Sequence, residues 1–388
     1  MALLMVMAIV MLLTILVTEI VHGGRVRAQL AANQRDAVKA KALAFTGVQL
    51  HRLVLVFSKQ LGDNPMVKEF GSAFGINGDS LWQMMPEINS KFLRLVFVSE
   101  GDKEDVKSFR QDEHLTDEQV AASREEFTSL HRNFLDFDGD FMSKVEDENR
   151  QFFVGQLGKG ATDFATWSEK PDVREIYGLM LGEEHDEFFF DRNIERWDLV
   201  ANLSDWTDND TTRIYSGGYE DAIYQNLEVP YLPKNAPFDT LEEIRLVDGW
   251  HLDEIWDRFG QHLTIYGEGK VNVNTANVTV LEGLLRTYIE PTPYQESLDL
   301  LIEQLIEFRN IPADEAGGLF QKPEDFFNFI ESIASGTVDP ALKQAVSTNS
   351  TVFRVGSVGG VGDSTVKIDV IYDFDKSPIG KVMYWGIQ

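Results

Sequence analysis

The spacing of hydrophobic and polar positions changes several times along this chain. From Met1 to Val21 nothing alternates: MALLMVMAIVMLLTILVTEIV is apolar on every side, and Thr14 and Thr18 are its only polar residues before Glu19. At about 1.5 Å per residue, a helix over these positions spans roughly 30 Å, one hydrocarbon core. A secretory signal would open on a basic stretch and carry a shorter apolar run, so a retained spanning helix fits better. Beyond it, Leu43, Gly47, Leu50, Val54, Phe57 and Leu61 recur at three- and four-residue steps among good helix formers. That spacing predicts an amphipathic helix continuing from the span to about Leu61, loosened at Gly23 and Gly24.

The pattern then becomes mixed. Short helical signals run from Gly62 to about Asn133, with a helix start at Thr116 followed by Glu118 and Gln119. SKVEDENRQFFVGQLG predicts strand, turn and strand. Residues 161–346 read as mainly helical, interrupted by an acidic Gly/Asn-rich loop near 204–221 and a Pro-rich loop near 229–237. The tail, TVFRVGSVGGVGDSTVKIDVIYDFDKSPIGKVMYWGIQ, alternates β-branched and polar residues between turn signals and predicts a three-stranded antiparallel meander. The expected class is α+β. Its segments are a long N-terminal helix over 1–61 (span 1–21), an α/β part over 62–160 with an insertion, an inserted helical domain over 161–346, and strands over 347–388 that complete the sheet.

Charge narrows the function. Of 388 residues, 35 are Lys or Arg and 63 are Asp or Glu, a formal charge of −28. Such a field repels phosphate backbones and favours divalent cations wherever carboxylates converge. There is no cysteine, which excludes disulfides, thiolate zinc sites and Cys nucleophiles. Arg25, Arg27, Arg35, Lys39 and Lys41 follow the span; a positive-inside count would place that side in the cytoplasm unless a basic leader once preceded Met1.

No catalytic constellation emerges. The seven histidines include no H-E-x-x-H pair, and neither G-x-S-x-G nor a phosphate loop occurs. SDWTDNDTTRIYSGGYED gathers Asp205, Asp208 and Asp210, with Glu220 and Asp221 ten residues on. Hard oxygen donors on such a loop suit Ca²⁺, while a solvated, helix-capping loop is the competing reading. DFDGDFMSKVED sets Asp136, Asp138, Asp140 and Asp147 at EF-hand positions, but Phe141 stands where Gly is required, so an EF-hand is not expected. VNVNTANVTVLEGLL predicts a helix start at Asn274 or Thr275. With the helices downstream it suggests a module of helix-hairpin-helix type without basic loops. A membrane-anchored DNA-binding or DNA-uptake protein is therefore the alternative function, opposed by the net charge.

These segments, in this order, resemble the minor pseudopilin K family of bacterial type II secretion systems. The resemblance rests on VEDENRQFFVGQL, on DWTDND…GGYEDAIYQN…VPYLPKNAPFDTLEEIRLVDGW, on VNVNTANVTVLEGLL and on FRVGSVGGVG…VIYDF, covering most of residues 145–385. It implies a pilin-like fold with a large inserted helical domain and no catalysis. The implied role is a structural subunit at the tip of a short pseudopilus, initiating assembly and supporting export across the outer membrane. Implied partners are minor pseudopilins I and J, the major pseudopilin filament, the inner-membrane assembly platform and prepilin peptidase, with no nucleic acid. The location would be the bacterial inner membrane, single-pass, with the bulk of the chain periplasmic. Calcium binding in the family's inserted domain makes Asp205, Asp208, Asp210, Glu220 and Asp221 the metal candidates. Met1 would be the processed and N-methylated terminus, and Met5 would stand where most pilins carry Glu. A carboxylate there is costly in lipid, and its absence suits a tip subunit with nothing stacked above it.

Overall fold

The computed structural model describes residues 2–63, 82–83, 85–96, 137–227, 229–311 and 318–388. Met1, Asp136 and the helix start expected at Thr116 lie outside the described residues. The N-terminal apolar run and the segment after it form one helix, α1 (Ala2–Asp63). It does not loosen at Gly23 and Gly24, because an unbroken ladder of backbone hydrogen bonds tolerates an isolated glycine pair at a cost of about 1 kcal/mol each. Its first part is exposed on all sides and is long and apolar enough to cross a membrane.

The second half of α1 lies on a five-stranded antiparallel sheet. It is built from β1 (Glu87–Asn89), β2 (Asp140–Asp147), β9 (Val352–Val361), β10 (Ser364–Asp373) and β11 (Lys381–Ile387), in the order β1-β2-β9-β10-β11. A short helix, α2 (Ser90–Val96), follows β1. The last three strands form the meander that the alternation predicts. Along β9 the pleat turns Phe353, Val355, Ser357, Gly359 and Val361 towards α1, and Phe141, Ser143 and Val145 of β2 join them.

The helix face that meets this sheet shares Leu43 and Gly47 with the expected stripe and departs from it at Leu50, Val54 and Phe57. Ala40, Leu43, Ala44, Gly47, Val48, His51, Leu55 and Ser58 are buried, whereas Phe57 is 59% exposed and Leu50 and Val54 are only partly covered. Small residues win because the two backbones nearly touch: a Cβ on Gly359 would collide with the Ala40 carbonyl and the Ala44 amide. Bulky side chains at those positions would hold helix and sheet apart. Buried His51 meets the Ser143 hydroxyl through Nδ1, and burial lowers its pKa to about 4.

The remaining elements form a helical lobe inserted between two neighbouring strands. The chain leaves at Asp147 on β2 and returns at β9, where Asp147 pairs with Phe353. Its helices are α3 (Phe164–Ser168), α4 (Pro171–Leu179), α5 (Glu183–Arg192), α6 (Arg196–Thr207), α7 (Asp221–Tyr224), α8 (Asp253–Phe259), α9 (Val278–Tyr288), α10 (Gln295–Asn310), α11 (Pro323–Ile333) and α12 (Leu342–Ala345). Three two-stranded ribbons brace them: β3 (Phe152–Phe153) with β4 (Leu263–Thr264), β5 (Val271–Asn272) with β8 (Val346–Ser347), and β6 (Ile289–Glu290) with β7 (Thr337–Val338). Trp167, Trp250, Phe152, Phe259, Phe326 and Tyr288 fill the lobe's core. The start of α9 departs from expectation: its cap is Asn277, which accepts from the Val280 amide at 2.9 Å. Asn274 is already engaged, donating to the Phe320 and Thr348 carbonyls and accepting from the Phe320 amide.

Lobe and sheet are joined by three consecutive polar residues in a single 3₁₀ turn. Asp147 accepts from the Asn149 amide (2.8 Å), Asn272 (3.0 Å), Thr275 (2.5 Å) and Ser350. Glu148 accepts from Thr264 (2.6 Å) and Arg354 (2.5 Å). Asn149 accepts from the Thr351 and Val352 amides, both at 2.9 Å. The other acidic residues of the EF-hand-like run serve separate partners: Asp138 pairs with Lys39 (2.7 Å), and Asp140 accepts from Ser90 and Arg94 (both 2.7 Å).

Candidate metal centre

Helix α6 begins under a side-chain cap from Glu195, carries a buried apolar face through Leu199, Val200 and Leu203, and ends at Thr207. Two acidic residues stand at that end, Asp205 in the last turn and Asp208 as the C-cap. Carboxylates are disfavoured there, because the helix C-terminus already carries partial negative charge. The chain then makes a narrow hairpin-like excursion in which Thr212 bridges Tyr219, the Arg213 amide bonds the Gly218 carbonyl, and Gly217 and Gly218 supply the left-handed φ values of the turn. It returns so that the Glu220 amide bonds the Thr211 carbonyl, which brings Glu220 beside the end of α6.

Asp205, Asp208 and Glu220 thereby each place a carboxylate oxygen within 4.8 Å of the others. Glu220 is 1% exposed and Asp205 4%. Asp205 spends one oxygen on the Ile214 amide (3.1 Å), and its Oδ2 has no partner. Neither oxygen of Glu220 has one. Asp208 accepts from the Asp210 amide at 3.1 Å. Burial, reinforced by the neighbouring carboxylates, raises Asp205 to about 7, Asp208 to about 6 and Glu220 to about 8.

Buried acceptors without donors are rare in native proteins and each costs free energy. A divalent cation removes that cost. Ca²⁺ sits about 2.3–2.6 Å from its oxygen ligands, so oxygens up to about 4.8 Å apart can lie on opposite sides of one ion. The donors here are all hard oxygens, and they fit. Of the five residues expected from the sequence, Asp210 and Asp221 stand outside the group: Asp210 accepts from the Thr212 amide (2.7 Å) and Asp221 from the Gln225 side chain (2.7 Å). One acceptor escaped the sequence reading. Asn235, in the Pro-rich segment, also has a buried oxygen without a partner; its signal was an Asn between two prolines at a turn, where Asn tolerates positive φ.

Comparison with known proteins bears on the same region. Residues 192–268, which hold the whole acidic group, match the family model described as Type II secretion system (T2SS), protein K. A Type II secretion system protein K from Aeromonas hydrophila is 23% identical over 176 residues, 45% of this chain and 49% of that relative. The alignment thus spans about half the length of the curated relative it matches. Among solved structures, a chain in the GspK-GspI-GspJ complex from the enterotoxigenic Escherichia coli Type 2 Secretion System is 18% identical with a TM-score of 0.48. That alignment covers 80% of this chain and 95% of that one.

Proposed function

From the premise that residues 192–268 carry the protein K domain of type II secretion systems, we propose that this chain is a structural minor pseudopilin of such a system. The observation that carries the reading is the family match together with the architecture around it: an apolar N-terminal helix of membrane-crossing length packed on a small antiparallel sheet, with the matching domain inserted between adjacent strands. In this reading α1 anchors the chain in the bacterial inner membrane, with sheet and lobe on the periplasmic side. The subunit assembles with minor pseudopilins I and J at the tip of the pseudopilus, where it initiates assembly with them and supports protein export across the outer membrane. The exposed Leu53, Phe57 and Val38 on the outer face of α1 offer apolar surface for helix–helix contacts with those subunits. Met5, 70% exposed on α1, supplies no carboxylate, which suits a tip position with nothing stacked above it.

The lobe takes up a divalent cation, Ca²⁺, held by Asp205, Asp208 and Glu220. When bound, the ion supplies charge neutralisation to oxygens that have no protein donor. The residues themselves fix the end of α6 against the returning loop, so the site is structural.

Co-expression of the tagged chain with minor pseudopilins I and J of the same system tests the assignment. A complex that survives purification in detergent is the expected result, and its loss on deletion of residues 2–61 is expected as well. Recovery of the tagged chain free of both partners would overturn it.

A further inference from the structure

We propose that the aromatic corner formed by Tyr177, Trp197, Phe164 and Tyr215 on the lobe, with the Glu195 carboxylate beside it, is a docking site for an arginine or lysine side chain of a partner protein. The proposal goes beyond the secretion reading and does not depend on the metal group. Its four rings come from four separate elements: Phe164 opens α3, Tyr177 lies in α4, Trp197 in the first turn of α6 and Tyr215 in the hairpin-like excursion. Tyr177 stacks on Trp197 with centroids 4.0 Å apart and planes at 13°. Phe164 meets Trp197 edge-on at 5.4 Å and 88°, and lies 4.8 Å from Tyr215 at 44°. All four rings are only partly buried, packed against the closed Trp167. Rings so inclined offer walls to a compact group rather than the flat platform that a sugar ring would need.

Charge says which compact group. Aromatic ring faces attract cations, and Trp and Tyr are the residues that most often anchor an interface. Elsewhere the lobe covers such rings with its own arginines: Arg192 and Arg258 lie over Phe188 at 4.2 and 4.6 Å, and Arg196 over Phe189 at 4.4 Å. Among the described residues no Lys or Arg lies over the four rings of this corner. The arginines next in sequence are engaged away from it. Arg196 donates to Asp186 (2.5 Å) and the Met180 carbonyl (2.9 Å), and Arg213 to Asp198 (3.1 Å).

Glu195 is placed the other way. It is exposed, accepts from the Trp197 amide at 3.5 Å, and has no ion pair among the described residues. Its charge reaches both phenols: partial burial and then Glu195 raise the pKa of Tyr215, and burial and Glu195 raise Tyr177 against the pull of Arg196. Neither phenol hydroxyl has a hydrogen-bond partner among the described residues. A guanidinium or ammonium group entering the corner therefore meets ring faces, a free carboxylate and two phenol oxygens at once. The chain's formal charge of −28 also draws basic partners towards it.

Tryptophan fluorescence of the full chain in detergent, titrated with an acetylated and amidated Gly-Arg-Gly peptide, tests the proposal. The same peptide with citrulline in place of arginine keeps the shape and loses the charge. The wild type should respond saturably to the arginine peptide and not to the citrulline peptide, and Trp197→Phe should lose the response. Glu195→Gln, which keeps an oxygen for the α6 cap, should weaken binding about fivefold with an unchanged circular dichroism spectrum. Glu331→Gln, which removes the same charge from α11, should leave binding unchanged. No response from the wild type, an equal response to both peptides, or equal losses in Glu195→Gln and Glu331→Gln would overturn the docking site. A response to cellobiose in place of the arginine peptide would overturn it in favour of a sugar site.

Discussion

Asp147 and Glu220 are both almost closed to solvent, at 3% and 1% exposure, yet they are treated in opposite ways. Asp147, at the joint between sheet and lobe, receives four hydrogen bonds from Asn149, Asn272, Thr275 and Ser350. Burial pushes its pKa up while every one of those donors pulls it down. Glu220 receives none, and the carboxylates of Asp208, Asp205, Asp210 and Asp221 push in the same direction as its burial. A fold can bury a carboxylate by surrounding it with donors or by leaving its oxygens bare for something that is not protein. The first arrangement fastens sheet and lobe together; the second leaves the oxygens that the proposed cation would occupy.

The largest expected effect lies at the satisfied carboxylate. Asp147→Ala leaves Asn272, Thr275, Ser350 and the Asn149 amide without their shared acceptor, and each buried donor left unsatisfied costs about 1–3 kcal/mol. Chemical denaturation should report that loss equally with and without Ca²⁺. A loss that calcium reverses would mean that joint and acidic group are not independent. The lobe should also become more susceptible to proteolysis near 148–151, since Glu148 and Asn149 complete the same turn.

The pH dependence of the metal-free chain gives a smaller and more selective effect. Asp205, Asp208 and Glu220 have folded pKa values raised to about 7, 6 and 8, so the folded state holds more protons than the unfolded state between about pH 4 and 8. Their contribution is most favourable below the unfolded carboxyl range and is lost as pH rises through 8. With chelator present, Tm should therefore fall between pH 5 and pH 8, by about 2–4 °C for each kcal/mol lost. Buried Glu175, raised to about 8 and bonded to Tyr288, adds to the same slope but lies outside the acidic group. Calcium should thus recover the part of the fall that belongs to Asp205, Asp208 and Glu220, and Glu220→Gln should remove the share that is its own. A slope unchanged by both would contradict the contrast between the two kinds of buried carboxylate.

Part of the fold and of the acidic group was legible in the sequence, and the remainder was hidden for identifiable reasons. The closing meander could be read because β9, β10 and β11 are each half-buried, so period-two alternation survives in them. The helix–sheet contact was legible only in part: Leu43 and Gly47 of the expected stripe lie in it, Leu50 and Val54 are only partly covered, and Phe57 is exposed. Phe57 belongs to the outer face, and the true contact runs through Ala40, Ala44 and Gly47, whose small size matters only once Gly359 is known to lie opposite. Asp205 and Asp208 share a turn of sequence and could be paired by inspection. Glu220, named with them from the sequence, is brought beside them by the loop closure at Thr211 and Thr212, whereas the contact of Asn235 with the Asp210 carbonyl comes from another part of the chain and spacing cannot show it. The cap of α9 went to Asn277 because Asn274 was taken up by Phe320 and Thr348, a competition visible only in three dimensions.

The most direct test of the cation site is calcium titration calorimetry on the chelator-stripped full chain in detergent near pH 7, run in buffers of different ionisation enthalpy. The predicted result is saturable calcium uptake with net proton release, because the ion displaces protons from carboxyls whose pKa values lie between about 6 and 8. Glu220→Gln should lose the uptake while keeping the wild-type fold. Absence of calcium uptake by the wild type, or uptake that Glu220→Gln leaves unchanged, would contradict it.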